Sequence, residues 1–306
     1  MDVFSQQLLN GLSLGAVYAL IAVGYTMVYG VLRLINFAHG DIFMMGAMAA
    51  LLAAVSWFHL ATAAPWWVGF PAVLLFAMFA CAVLGYVIER FAYRPLRDQP
   101  RLTVLITAIG VSMLLEFGGQ HPWVFGPTPQ SFPRILPPGK MQLGSGVVLD
   151  AVDMLIFGLT LALMIGLSCI VKFSRAGMAL RAVSFRFDTA SLMGINTDRI
   201  ISFTFCLGSA LAAVAGVLWG IKYRQVDPLM GLVPGLKAFV AAVLGGIGNI
   251  TGAVVGGLLL GLTEVMVIAY LPSGSQYRDG VAFVILIIIL LVNPSGLFGT
   301  NVVEKV

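Results

Sequence analysis

Charge is scarce in this chain. Only 10% of its 306 residues are charged and 60% are hydrophobic. A soluble domain of this length needs far more polar surface, so an ordinary soluble globular fold is excluded. Cysteine is equally sparse: Cys81, Cys169 and Cys206 each sit inside an apolar run. None forms a CxxC or lies near a histidine, so neither a disulfide framework nor a metal site is implied. The histidines, His39, His59 and His121, are far apart and fall at span ends. No phosphate loop is present, because the Gly139-Lys140 pair lacks the upstream glycine and is followed by Met141. HExxH and carboxylates paired on one helix face are absent too. These gaps leave no catalytic or metal-binding residues to assign. Any energy source must therefore belong to another polypeptide. The net charge of +4 is small and its basic residues are confined to particular loops, which argues against nucleic-acid binding.

What the chain has instead is glycine, 35 residues of it, and long apolar runs. Small residues let helices approach closely in lipid, so the composition points to an all-α polytopic membrane protein. Runs long enough to cross about 30 Å of hydrocarbon lie near 8–31, 40–59, 66–88, 102–119, 148–171, 200–221 and 280–293. A further run, 236–270, is too long for one straight span and is broken by "GGIGNITG". About eight membrane elements with interrupted helices follow, in a single domain over 1–306. The N-terminus has no basic leader segment and is expected to be an uncleaved first span. Loops 89–101 and 172–199 hold nine basic residues, against five in the opposite loops. That bias predicts that both basic loops are cytoplasmic and the N-terminus is outside. The Pro- and Gly-rich stretch 120–147 is expected to form an irregular external cap. Whether 236–270 crosses once or folds back stays open at this point, and with it the side of the C-terminus.

Several features inside the spans are candidates for structure or function. Gly248, Gly252 and Gly256, Gly257 and Gly261, Gly11 and Gly15, and Gly216 and Gly220 recur at GxxxG spacing. This spacing predicts close helix packing within the chain, with a subunit interface as the other use. Glu116 and Glu264 lie within spans, where a carboxylate must face protein, water or a basic partner; polar anchoring of the bundle is the expected role. In "NFAHGD" (36–41), Asn36, His39 and Asp41 crowd one point where Gly40 interrupts the apolar pattern. Backbone groups freed at such a break can meet a polar solute, or these residues can satisfy one another at a loop between spans. Segment 236–270 echoes this pattern, with Asn249 beside Gly248 ahead of a small-residue run. Asn36, His39, Gly40, Gly248 and Asn249 are therefore the candidate translocation path.

The loop "RAGMALRAVSFRFDTASLMGINTDR" (175–199) is unusual because it is charged and yet carries Met178, Ala182, Phe185 and Phe187. Ser174 is placed to cap a short helix, Asp188 to begin a second, and Gly194 to end the segment in a left-handed conformation. Exposed aromatics on a short helix fit either a partner's groove or the bilayer surface.

The run "GMALRAVSFRFDTASLMGINTDRIISFTF" (177–205), followed by "AAVAGVL", resembles the cytoplasmic loop of ABC-importer permeases for branched-chain amino acids, of the Liv type. "INFAHGDIFMMGA", "ERFAYRPLR" (89–97), "LKAFVAAVLGGIGNITGAVVGGLLLG" (236–261) and the terminal "VEKV" extend the resemblance over essentially the whole chain. The resemblance implies a multi-pass inner-membrane subunit of the ABC-importer permease type. Its partners would be a second, homologous permease, two cytoplasmic ATPases that hold the ATP and Mg, and a periplasmic binding protein. No cofactor would be bound by this chain. The loop would supply the ATPase-coupling helix, with Gly177, Arg181, Ala182, Ala190 and Gly194 in it and Phe185 and Phe187 as groove contacts. It lacks the Glu-Ala-Ala signature of the wider importer permeases and presents Arg181-Ala182 in its place. Alternatives are a permease for urea or short amides, an ion-coupled transporter working alone, and a passive channel.

Overall fold

The computed structural model describes residues 2–57, 59, 64–97, 99–143 and 146–299, so the terminal "VEKV" lies outside the described residues. The chain is a helical bundle. Helix α1 (Asp2–Leu32) is followed by α2 (His39–Leu51), which continues through a π-helical turn (Leu52–Trp57). Helix α3 (Trp66–Ile88) continues through Glu89–Tyr93 and Arg94–Leu96, and α4 spans Arg101–Gly119. Three short strands, β1 (Gln130–Ser131), β2 (Lys140–Leu143) and β3 (Val147–Asp150), lead into α5 (Ala151–Phe173). Two short helices follow, α6 (Arg175–Phe185) and α7 (Phe187–Leu192), and then α8 (Thr197–Tyr223) and strand β4 (Gln225–Val226). The chain ends with α9 (Leu232–Gly245), α10 (Ile250–Tyr270) and α11 (Gly274–Val292). Eight helices among the described residues are long and apolar enough to cross a membrane, and α9 is shorter. Helices α1 and α11 begin about two turns earlier than their apolar runs. Polar residues such as Gln6 and Gln276 keep helical backbone bonds beyond the hydrocarbon.

Helix α1 is the axis of the bundle, with Ala16 to Val23 all buried. It packs antiparallel to α10 along a glycine seam: a Cβ on Gly15 would overlap Leu258, and one on Gly261 would overlap Gly15. Gly252 and Gly256 of α10 meet Gly245 and Ala241 of α9 in the same way, and Gly216 of α8 meets Phe43 and Ala47 of α2. These ladders therefore serve packing within the chain, except at Gly248, where an added Cβ would meet nothing within 4 Å. In lipid the hydrophobic effect gives helices little reason to associate, so backbone approach of this kind supplies much of the cohesion.

Segment 236–270 folds back. Gly246 (φ 102°) and Gly248 (φ 97°) form its tip in conformations that only glycine adopts readily. Leu297 N and Phe298 N then donate to Leu244 O and Gly245 O at 2.9 and 3.0 Å. The tip lies at the same end of the bundle as the lower part of α5: Ser168, Cys169 and Lys172 face Ile250 and Thr251 across a cavity of about 360 Å³. Both basic loops share this end, since Arg94 and Arg97 reach Asp198. Residues up to 299 therefore emerge at the end of the bundle that holds both basic loops. At the opposite end β1 pairs antiparallel with β4 and β2 with β3. Phe132, Ile135 and Leu136 are buried beneath this cap.

Candidate functional site

The basic end of the bundle carries α6 and α7 as a platform. Ser174 Oγ accepts from Gly177 N at 2.9 Å, closing the first turn of α6. Gly177 lies against Ile170 O and Val171 O of α5, where any side chain would collide, so the two helices meet at a sharp corner. Arg181 Nη1 donates to Val171 O (2.7 Å) and Lys172 O (3.1 Å), so its guanidinium satisfies carbonyls left open at the end of α5. Leu180, Val183 and Ala190 are buried, and Ala182 is half-buried. Helix α7 begins at Phe187, with Asp188 in its first turn, and Gly194 (φ 84°) ends the segment as expected.

Gly177, Arg181, Ala190 and Gly194 thus build the platform, and Phe185 and Phe187 face away from it, 80% and 42% exposed. Leu192 (86%), Met193 (79%) and Met178 (60%) extend the exposed apolar surface. Leu192 and Met193 escaped the sequence reading because they precede Gly194 in a run that looks like the buried end of a helix. The patch is far too apolar to stand free on a wet surface that carries arginines, which marks it as an interaction site.

Behind the platform, Arg97 links two elements. Its guanidinium pairs with Glu89 at the end of α3 and, through Nη1, with Asp198 Oδ1 in the first turn of α8 at 2.6 Å. Arg94 pairs with the other Asp198 oxygen, and Ser202 Oγ donates to Glu89 Oε2 at 2.6 Å. Glu89, Arg94 and Arg97 lie in the stretch "ERFAYRPLR" that carries the resemblance, but nothing in the sequence pointed to Asp198 as their partner.

A second polar cluster lies within the bundle where α2 begins. Asn36, His39 and Asp41 are 4%, 1% and 2% exposed. Asn36 Oδ1 accepts from Tyr93 OH at 2.6 Å, and His39 packs edge-on to Tyr25 at 4.7 Å between ring centres. Asp41 accepts from Ser112 Oγ, with Glu116 of α4 beside it. Asn36 Nδ2, His39 Nε2 and Glu116 Oε1 have no hydrogen-bond partner among the described residues. Gly40 presses on the backbone of Gly231 and Gly235, so α2 and α9 both start at this point. Two helix N-termini converging inside a bundle turn their positive dipole ends toward a polar or anionic solute, while the first amides of α2 are already taken, His39 N by Asn36 O and Asp41 N by Ala38 O.

The sequence pairing of this break with Gly248 and Asn249 is not what the fold brings together. Asn249 caps α10 by accepting from Gly252 N at 3.1 Å and donates to Phe298 O at 3.0 Å. Gly248 faces Gly30 at the inward end of α1, whereas His39 sits against Gly24. Six helical residues, about 9 Å, separate those two levels. The partner of the first break is Gly231 to Gly235. It was hidden because "DPLMGLVPG" has no sequence likeness to "NFAHGD".

A bundle of candidate spans, with interrupted helices meeting inside it and an exposed apolar patch at one end, is the build of a membrane transport permease. The chain belongs to the family described as "Branched-chain amino acid transport system / permease component", which matches residues 7–290. It is 43% identical to the high-affinity branched-chain amino acid permease LivH of Salmonella typhimurium, covering 99% of this chain and 98% of that one. It is 42% identical to LivH of Escherichia coli K12 and 43% identical to BraD of Pseudomonas aeruginosa, with the same coverage.

Proposed function

We propose that this chain is the membrane-spanning permease subunit of an ATP-driven importer of branched-chain amino acids in a bacterial inner membrane. Full-length identity to LivH and BraD carries this reading. Substrate reaches the outer face from a periplasmic binding protein, and a second, homologous permease completes the path. Two cytoplasmic ATPases hold ATP and Mg, and this chain binds no cofactor of its own. The platform of α6 and α7 docks on the ATPases through Phe185 and Phe187, supported by Gly177, Arg181, Ala182, Ala190 and Gly194. Closure of the ATPase pair moves the platform and rocks the bundle between outward- and inward-facing states. ATP drives this change through its different affinity for the two states.

Asn36, His39 and Gly40, with Gly231 and Gly235 opposite, form the polar station of the path. Gly248 and Asn249 mark its inward end. The apolar walls suit aliphatic side chains, and the helix N-termini suit a zwitterion's carboxylate.

The test is uptake of labelled leucine by proteoliposomes holding the whole complex, with the binding protein outside and ATP inside. Uptake that needs both supports the reading. Uptake by this chain alone on an ion gradient would overturn it. A cognate binding protein that takes urea and not leucine would transfer the same machinery to an amide cargo.

A further inference from the structure

We infer that Arg97 is a positioning residue for transport, the clamp that makes the inward ends of α3 and α8 move as one body with the coupling platform. This rests on the reading of α6 and α7 as the ATPase contact.

The geometry begins with chain connectivity. Gly194 ends α7, and after Ile195 the side chain of Asn196 caps α8 by accepting from Arg199 N at 3.0 Å. So short and capped a link gives α7 little slack relative to the first turn of α8. Asp198 lies in that turn, where a carboxylate is favoured by the helix N-terminus. Glu89, on the continuation of α3, is fully buried. Two carboxylates from separate elements thus face one another and would repel. Arg97, 13% exposed, stands between them with one guanidinium nitrogen on each, and Arg94 takes the remaining Asp198 oxygen.

The four groups form a neutral, closed set of two cations and two anions. A planar guanidinium holds two carboxylates at a fixed angle, which a single ammonium cannot do. Displacement of α7 therefore reaches α8 along the chain and α3 through Arg97. Helix α3 packs on α8 at Gly85 and Ser209 and on α2 through Cys81, whose Sγ donates to Ile42 O at 3.6 Å. Ile42 lies two residues from Gly40, where α2 meets α9. The clamp thus stands between the platform and the polar station, outside both.

The experiment compares leucine transported per ATP hydrolysed in proteoliposomes of the complete importer. In Arg97→Gln the amide still donates to buried Glu89 but cannot span to Asp198. Assembly with the ATPases and basal hydrolysis should stay near the parent, while transport per ATP falls about fivefold or more. Arg97→Lys should recover part of the loss. A parental ratio in an assembled Arg97→Gln complex would overturn the inference.

Should Arg97→Gln fail to assemble, Asp198→Asn decides. It leaves the buried Arg97–Glu89 pair intact and must lower the same ratio; an unchanged ratio again overturns the clamp. A Phe185→Ala, Phe187→Ala chain that still recruits and couples ATPases would instead refute the platform reading on which the clamp rests.

Discussion

Lys237 Nζ on α9 donates to Glu264 Oε1 on α10 at 2.8 Å, and both side chains are almost wholly buried. Asp279 of α11 approaches the same ammonium at 2.6 Å, and Tyr18 OH of α1 donates to Glu264 Oε2 at 2.9 Å. Four helices thus share one polar knot, buried at Lys237, Glu264 and Tyr18 and open to the surface at Asp279. The pattern fits the cost of charge in lipid: an isolated lysine or glutamate there is strongly disfavoured, and a paired and hydrogen-bonded set is tolerated. Breaking such a set is worse than never having built it, because the surviving charge stays buried.

Lys237→Met should therefore destabilise the bundle by about 3 kcal/mol, since buried Glu264 loses its cation while half-exposed Asp279 keeps Arg278. The thermal unfolding midpoint in detergent measures this. Adding Glu264→Gln to Lys237→Met should return much of the loss. A single variant as stable as the parent would show that the knot contributes nothing.

Much of this architecture was legible in the sequence, and the limits have physical causes. Apolar run length gave the spans, the basic bias of 89–101 and 172–199 gave their common face, and Ser174 and Gly194 framed the coupling segment. That Glu264 must face protein, water or a basic partner was legible too, but which of these it meets was not. Lys237 sits inside an apolar run, and its neighbour is 27 residues away. The return of 236–270 as a hairpin depended on glycines at positive φ, which sequence spacing does not reveal. The pairing of Gly40 with Gly231 is likewise tertiary, with no shared motif to announce it.

The glycine seam makes a second expectation. Gly15→Val should force α1 and α10 apart along their antiparallel contact, because its Cβ would meet the Leu258 backbone. Overpacking of this kind typically destabilises by about 1–3 kcal/mol. Lower yield of folded protein and a reduced unfolding midpoint are the expected readouts. The same change at Gly110, whose Cβ would meet nothing within 4 Å, should leave both unchanged.

Arg181 and the two phenylalanines should separate stability from docking. Arg181 is spent on the carbonyls of Val171 and Lys172, so Arg181→Ala should loosen the end of α5 and lower stability by about 1 kcal/mol. Phe185→Ala with Phe187→Ala removes exposed surface and should leave the unfolding midpoint in place. Co-purification with the ATPases should then weaken by about thirtyfold, as for loss of an aromatic anchor of about 2 kcal/mol. Equal recruitment by the parent and the double variant would remove the aromatics from the contact.

Gly40→Ala tests the polar station most directly. A Cβ there would overlap Gly231 O and the Cα of Gly235, so the starts of α2 and α9 must separate. The platform lies on the inward face and is untouched, so ATPase recruitment and basal hydrolysis should persist. Leucine uptake should fall by an order of magnitude, because the two converging helix N-termini no longer face one point. Gly248→Ala offers the contrast: its φ of 97° strains an alanine, but no neighbour lies within 4 Å of the added carbon. That change should lower stability by about 1 kcal/mol with a smaller effect on uptake. If Gly248→Ala abolished uptake while Gly40→Ala left it intact, the station would have to move from the head of α2 to the tip of the hairpin.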